Sequence, residues 1–212
     1  MSSFVRRRSV LRFATGGGAI ALTGPGFAVM ASRQAVAEQD PAGQLVQRAA
    51  NQAIEVAEAN AGAAREAGIR RVLEAYFDLA YMGRSTLGSY WNQATPDQRE
   101  RFLKVAANAE AHAYARRFGQ YGGQTLTVAP SMPKVRGDGV SIVNSTLTQT
   151  NDEPLAIQWE VHNAGQGARI VDVRIGGVSM VVTRRAEYNS FIQAQGGKVE
   201  PLITELEARA KR

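Results

Sequence analysis

Residues able to do chemistry are few in this chain and far apart. It has 212 residues, no cysteine, and only two histidines, His112 and His162. The lack of cysteine excludes thiol nucleophiles, disulfides and cysteine-held zinc. Two separated, solvent-side histidines leave little material for a metal site or a triad. Ser179 lacks the G-x-S-x-G setting of a hydrolase elbow. Asp172 sits in an apolar strand and reads chiefly as a structural hydrogen-bond acceptor. As a general base it would need a nearby donor, for which Tyr188 and Tyr114 are the candidates, and that set would make a pocket enzyme of isomerase type. Gly176-Gly177-Val178-Ser179 opens a helical pattern, with Arg184 and Arg185 one to two turns on. Free amides there could hold a phosphate; a glycine turn with solvated arginines is the plainer alternative.

The formal charge of +6 is not evenly spread. Residues 1–37 hold Arg6, Arg7, Arg8, Arg12 and Arg33 and no acid, so the rest carries 20 basic residues against 19 acidic. With a net charge of +1, that part has no bulk electrostatic reason to seek nucleic acid. The first 37 residues have the parts of an export signal: a basic start, an apolar Gly-rich stretch from Phe13 to Met30, and the A-x-A pattern Ala35-Val36-Ala37. Arg7-Arg8-Ser9-Val10-Leu11-Arg12 fits a twin-arginine start. Residues 1–37 are therefore expected to be a twin-arginine signal peptide, with an ordinary Sec signal with a basic start as the alternative, and residues 38–212 a single periplasmic domain. No other segment is apolar enough to span a membrane.

Positioning falls to helices at both ends and strands between them. Leu45, Ala49, Ala53 and Val56 mark one face of a helix over 41–60. Ile69, Val72, Leu73, Tyr76 and Phe77 recur at i, i+3, i+4, i+7 and i+8, a core-facing helical stripe. Met82, Leu87 and Trp91 read as a short irregular stretch. Thr95-Pro96-Asp97-Gln98 starts a helix with a capping box and a proline at the first position, and it can run to about Phe118 before Gly119 and Gly122-Gly123. Strands are predicted from Thr125, over 139–149, over 154–163 and over 168–175, with Gly137-Asp138-Gly139 and Asn163-Ala164-Gly165 as turns. Leu155, Ile157, Trp159 and Val161 share one face, and Ala156, Gln158, Glu160 and His162 the other. Such a strand belongs to an antiparallel sheet covered on one side. After Gly176-Gly177 a helical period puts Val178, Val181, Tyr188, Phe191 and Ile192 together. A last helix is predicted from Glu200, with Leu202, Ile203 and Leu206 inward. The expected fold is α+β: a four-stranded antiparallel sheet with one face covered by helices from both ends of the chain, enclosing an apolar cavity.

Three blocks resemble the MlaC (toluene-tolerance) family of periplasmic phospholipid-binding proteins. The first is Phe77-Asp78, Met82, Leu87-Gly88, Trp91, Ala94-Thr95-Pro96, Gln98-Arg99 and Phe102. The second is Tyr121-Gly122-Gly123-Gln124. The third and most specific is Asp172-Val173, Ile175, Gly177-Val178-Ser179-Met180-Val181, Arg185, Glu187-Tyr188, Phe191-Ile192, Gly196-Gly197 and Leu202-Ile203. The family usually carries a Trp and a Tyr where this chain has Ala168 and Val171, which implies a reshaped pocket. The resemblance implies a non-enzymatic, monomeric carrier with no cofactor and a phospholipid as cargo. Its partners would be an inner-membrane ABC transporter with a membrane-anchored lipid-binding ring and an outer-membrane lipoprotein complex, and the traffic would help maintain outer-membrane asymmetry. A hopanoid-associated branch of the family is the alternative.

A carrier must offset about 0.8 kcal/mol for each methylene taken from a bilayer into water, on the order of 20 kcal/mol for two acyl chains. That calls for an apolar cavity with the headgroup left near solvent. Leu155, Ile157, Trp159 and Val161 are the candidate floor. Phe77, Met82, Val105, Val178, Val181, Tyr188 and Phe191 are the candidate walls. Ordinary core packing is the alternative for each, and a solid-cored adaptor without ligand is the alternative for the whole.

Overall fold

The structure is a computed structural model, describing residues 41–118, 123–129, 134–135, 139–148, 153–164 and 167–209. The helices α1 (Pro41–Ala59), α2 (Gly62–Tyr76), α3 (Leu79–Leu87), α4 (Tyr90–Gln93) and α5 (Pro96–Phe118) come first. The strands β1 (Thr125–Val128), β2 (Lys134–Val135), β3 (Val140–Thr148), β4 (Leu155–Ala164), β5 (Gly167–Ile175) and β6 (Val178–Ser179) follow, and α6 (Met180–Ala194) and α7 (Glu200–Arg209) close the chain. The signal-like residues 1–37, the Gly119 and Gly122 stop signals, Tyr121 of the second block, and the turn residues Gly137, Asp138 and Gly165 lie outside the described residues. Among the described residues no helix is long and apolar enough to cross a membrane.

The sheet runs β1-β3-β4-β5-β6, with β2 also on β3, and every pairing is antiparallel. The four predicted strands are all present, and the two-residue strands β2 and β6 extend the sheet. Register explains the apolar face. Val143 lies opposite Trp159, Ser145 opposite Ile157, and Leu147 opposite Leu155. Because side chains alternate, these residues all point the same way. Helix α1 lies on that face, where Leu45, Val46 and Ala49 join Val143, Ile157, Val161, Ile170 and Val173 in one buried cluster. Each such aliphatic side chain contributes about 1.5–3 kcal/mol on burial. The Trp159 indole N–H donates to Ser145 Oγ at 2.8 Å, so the one polar atom of this side chain is satisfied.

A register shift falls between Glu160 and Val161: Glu160 pairs with Asp172 and Val161 with Ile170, so Val171 is the extra residue of a bulge. Beyond the bulge, Asp172 reaches the start of α6. The chain arrives there by a hairpin, not by a helix. Val178 is in β6, opposite Ile175, and Gly176 and Gly177 form the turn with φ of 56° and 83°. The helical period read from Val178 therefore begins two residues later, at Met180.

The stretch expected to be irregular is helical. Asp78 starts α3 by accepting the Tyr81 N–H on its side chain at 2.8 Å. Gly83 then lets α3 approach α5: a Cβ at that position would lie 2.4 Å from Leu103 Cδ2. The predicted capping box is formed, with Gln98 N–H donating to Thr95 Oγ1 at 3.2 Å and Thr95 N–H to Gln98 Oε1 at 3.1 Å. Gly196 and Gly197, at φ 69° and 79°, end α6, and the Gly197 N–H returns to the Ile192 carbonyl at 2.9 Å. Helix α7 then packs on α5 and α6, where Leu202, Ile203 and Leu206 meet Phe102, Val105 and Ile192.

Candidate functional site

A cavity of about 250 Å³ lies among α2, α3, α5, β6 and α6. Its opening follows from side-chain size. Helix α5 faces it with Ala106, Ala107 and Ala113, side chains too short to fill the gap to the helix opposite. Helix α6 answers with Val181, Thr183 and Tyr188. Leu73 of α2, Phe77, and Leu79 and Met82 of α3 complete an aliphatic and aromatic wall, and the mostly exposed Val178 stands at its edge. Voids this large persist in folded interiors only where something enters or where packing is incomplete.

Among the described residues, three charged ones line the cavity: Glu110 of α5 and Arg184 and Glu187 of α6. Arg184 binds Glu110 through Nε–Oε1 at 2.5 Å and Nη2–Oε2 at 3.3 Å, and Glu187 through Nη1 at 2.7 Å. Burial alone would lower the affinity of this guanidinium for its proton. The hydrogen bonds and charge of Glu110, with help from Glu187, reverse that and raise it. Burial, and then the charge of Glu110, push the Tyr188 hydroxyl above its ordinary range.

The sequence-predicted residues separate into three places. Phe77, Met82, Val178, Val181 and Tyr188 line the cavity. Leu155, Ile157, Trp159 and Val161 lie on the sheet face beneath α1, in a cluster that also contains Phe77 and Met180 of the cavity lining, and do not themselves line that cavity. Val105 and Phe191 belong to the cluster that holds α7. Sequence reading missed the alanines of α5, which carry no chemical signal, and Leu79, whose helix was read as irregular.

Asp172 is not at the cavity. Its carboxylate accepts the N–H groups of Val173 at 2.8 Å and Val181 at 3.1 Å, and the hydroxyl of Ser179 at 2.5 Å. The isomerase reading needed Asp172 beside Tyr188 or Tyr114 in a pocket, and the tyrosines line the cavity without it. The same contacts answer the phosphate reading. Asp172 and Ser179 Oγ already take the Val181 and Val182 amides at the start of α6. Arg185 donates to the Ser85 carbonyl at 2.6 Å.

An antiparallel sheet with helices from both ends and an apolar cavity among the helices defines the class: an α+β domain with an internal apolar cavity. The MlaC protein family model matches residues 46–208, and the chain belongs to that family. The intermembrane phospholipid transport system binding protein MlaC of Haemophilus influenzae is 24% identical over 193 residues, covering 87% of this chain and 89% of that protein. Among solved structures, a phospholipid-binding protein from Ralstonia solanacearum, in complex with a phospholipid, superposes with a TM-score of 0.67 at 20% identity, covering 80% of this chain and 97% of the other. That likeness establishes the fold.

Proposed function

We propose that this chain is a periplasmic carrier of phospholipid. It takes lipid from, or gives it to, an inner-membrane ABC transporter complex and an outer-membrane lipoprotein complex, and so helps maintain outer-membrane lipid asymmetry. Residues 1–37 act as the export signal, and residues 38–212 are the carrier. The observation that carries this reading is the apolar cavity between α5 and α6. It is walled by aliphatic and aromatic side chains and, among the described residues, has its charges confined to Glu110, Arg184 and Glu187. Acyl chains find dispersion partners along such walls, and those contacts are non-directional and tolerate chains of varied length. The relatives named for phospholipid binding and intermembrane phospholipid transport support the choice of cargo.

At about 250 Å³ the cavity lies below the ~300–1,000 Å³ common for small-molecule pockets. Loading a diacyl lipid therefore requires its walls to part. The test is uptake. Delipidated protein is mixed with phosphatidylcholine vesicles bearing a labelled phospholipid, then separated by gel filtration. One labelled lipid per chain is expected in the protein fraction, and a protein fraction without lipid at any vesicle concentration overturns the proposal.

A further inference from the structure

We infer that the Glu110–Arg184 ion pair is an exchangeable latch on the cavity, broken each time a lipid enters or leaves. This rests on the carrier reading and adds to it the residues that set the exchange rate.

The geometry is that of a seam with one closed end. The contacts between α5 and α6 fall in opposite order along the two helices: Phe102 meets Tyr188, and the later Glu110 meets the earlier Arg184. At one end the Phe102 and Tyr188 rings meet edge to face, with centroids 5.8 Å apart, inside the buried cluster with Ile192. At the other end Tyr114 of α5 and Val181 of α6 face the cavity. Glu110 and Arg184 lie between, two turns along α5 from Phe102 and one turn back along α6 from Tyr188. They join the two helices across the opening. The other polar attachments of the first turns of α6 lead elsewhere: Asp172 ties it to β5, and Arg185 ties it to α3. The seam between α5 and α6 is thus the wall that can part while α6 stays anchored to the sheet.

Arg184 is suited to such a cycle because it has a second carboxylate on its own helix. Glu187 is three residues on and bonded at 2.7 Å. When α5 moves away Arg184 loses Glu110 but keeps Glu187, so opening does not strand an unpaired guanidinium beside acyl chain. The side chains of Arg184 and Glu110 are 33% and 24% exposed, mostly but not wholly sheltered and therefore sensitive to salt in part.

The latch makes opposite predictions for the two acids. In transfer of a fluorescent phospholipid from phosphatidylcholine vesicles to the purified protein and back, Glu110→Gln should exchange about fivefold faster than wild type. Arg184→Gln should do the same. Glu187→Gln should exchange more slowly, because the open state then leaves Arg184 unpaired. Added salt should speed wild type more than Glu110→Gln. Thermal melts on the same samples establish that each variant is folded, and the conservative change at a partly exposed acid makes Glu187→Gln a variant that folds. Equal rates for wild type and Glu110→Gln, or a Glu187→Gln protein accelerated like Glu110→Gln, overturn the latch while leaving the carrier standing. Wild-type protein that takes up no lipid overturns the carrier, and the latch with it.

Discussion

The Ser179 hydroxyl donates to Asp172 Oδ2 at 2.5 Å, and this bond joins β5 to the residue that caps α6. The other oxygen of the same carboxylate receives the Val173 and Val181 amides. One buried acid thus fixes where a cavity wall begins. Replacing Asp172 with Ala leaves two buried amides and a hydroxyl without their acceptor, which should cost about 3 kcal/mol. Asp172→Asn keeps an acceptor for the amides and should cost less than half as much. Urea denaturation of the three proteins measures this, and an Ala variant within 1 kcal/mol of wild type, about the net worth of a single neutral hydrogen bond, would contradict it.

Ile157 is 9% exposed and lies in the cluster under α1. An unpaired carboxylate placed there has neither water nor partner. Ile157→Glu should therefore give a protein without cooperative unfolding, seen as a flat near-ultraviolet dichroism melt. A folded Ile157→Glu protein that has lost its lipid would instead place the acyl chains on the sheet face.

Ala107 is buried against the cavity from α5. A phenyl ring added there enters existing space, so the overpacking cost of about 1–3 kcal/mol seen in filled cores should not appear. Ala107→Phe is expected to melt within a few degrees of wild type and to bind lipid about tenfold more weakly, the loss that follows from about 1.4 kcal/mol of lost contact. Unchanged lipid content in a well-folded variant would move the cargo away from α5.

Local signals carried much of this fold into the sequence. The Thr95–Gln98 box is formed within four residues, so its start is legible without tertiary context, and α5 runs to the predicted Phe118. The alternation of Leu155, Ile157, Trp159 and Val161 announces a covered sheet face, and the structure covers it. Alternation does not say what does the covering. Here α1 supplies Leu45, Val46 and Ala49, and the residues lining the cavity come mainly from other helices. Its makers, Ala106, Ala107 and Ala113, are ordinary helix formers in any sequence. Only the tertiary placement of α5 opposite α3 and α6 makes them part of a cavity lining. Helix α3 was missed for a different reason: its cap, Asp78, directly follows Phe77, which reads as the end of the preceding helical stripe.

Tyr188 gives a stability signature at alkaline pH. Burial holds its hydroxyl above the ordinary value of 10.0, so the folded protein keeps a proton that the unfolded chain releases. This contribution is fully present below pH 10 and is lost as pH rises beyond it toward the folded value. Tyr188→Phe removes the titrating group. The gap in urea midpoint between variant and wild type should shift in favour of the variant between pH 9 and pH 11, whereas a gap independent of pH would show that Tyr188 is not held protonated by the fold.

The carrier reading is tested most directly by native mass spectrometry of the protein purified from its host without detergent. The prediction is a dominant species heavier than the bare chain by one phospholipid, which collisional activation releases as an intact lipid and which is depleted in Ala107→Phe. A bare protein mass for the wild type, unchanged after incubation with phospholipid vesicles, would contradict the account.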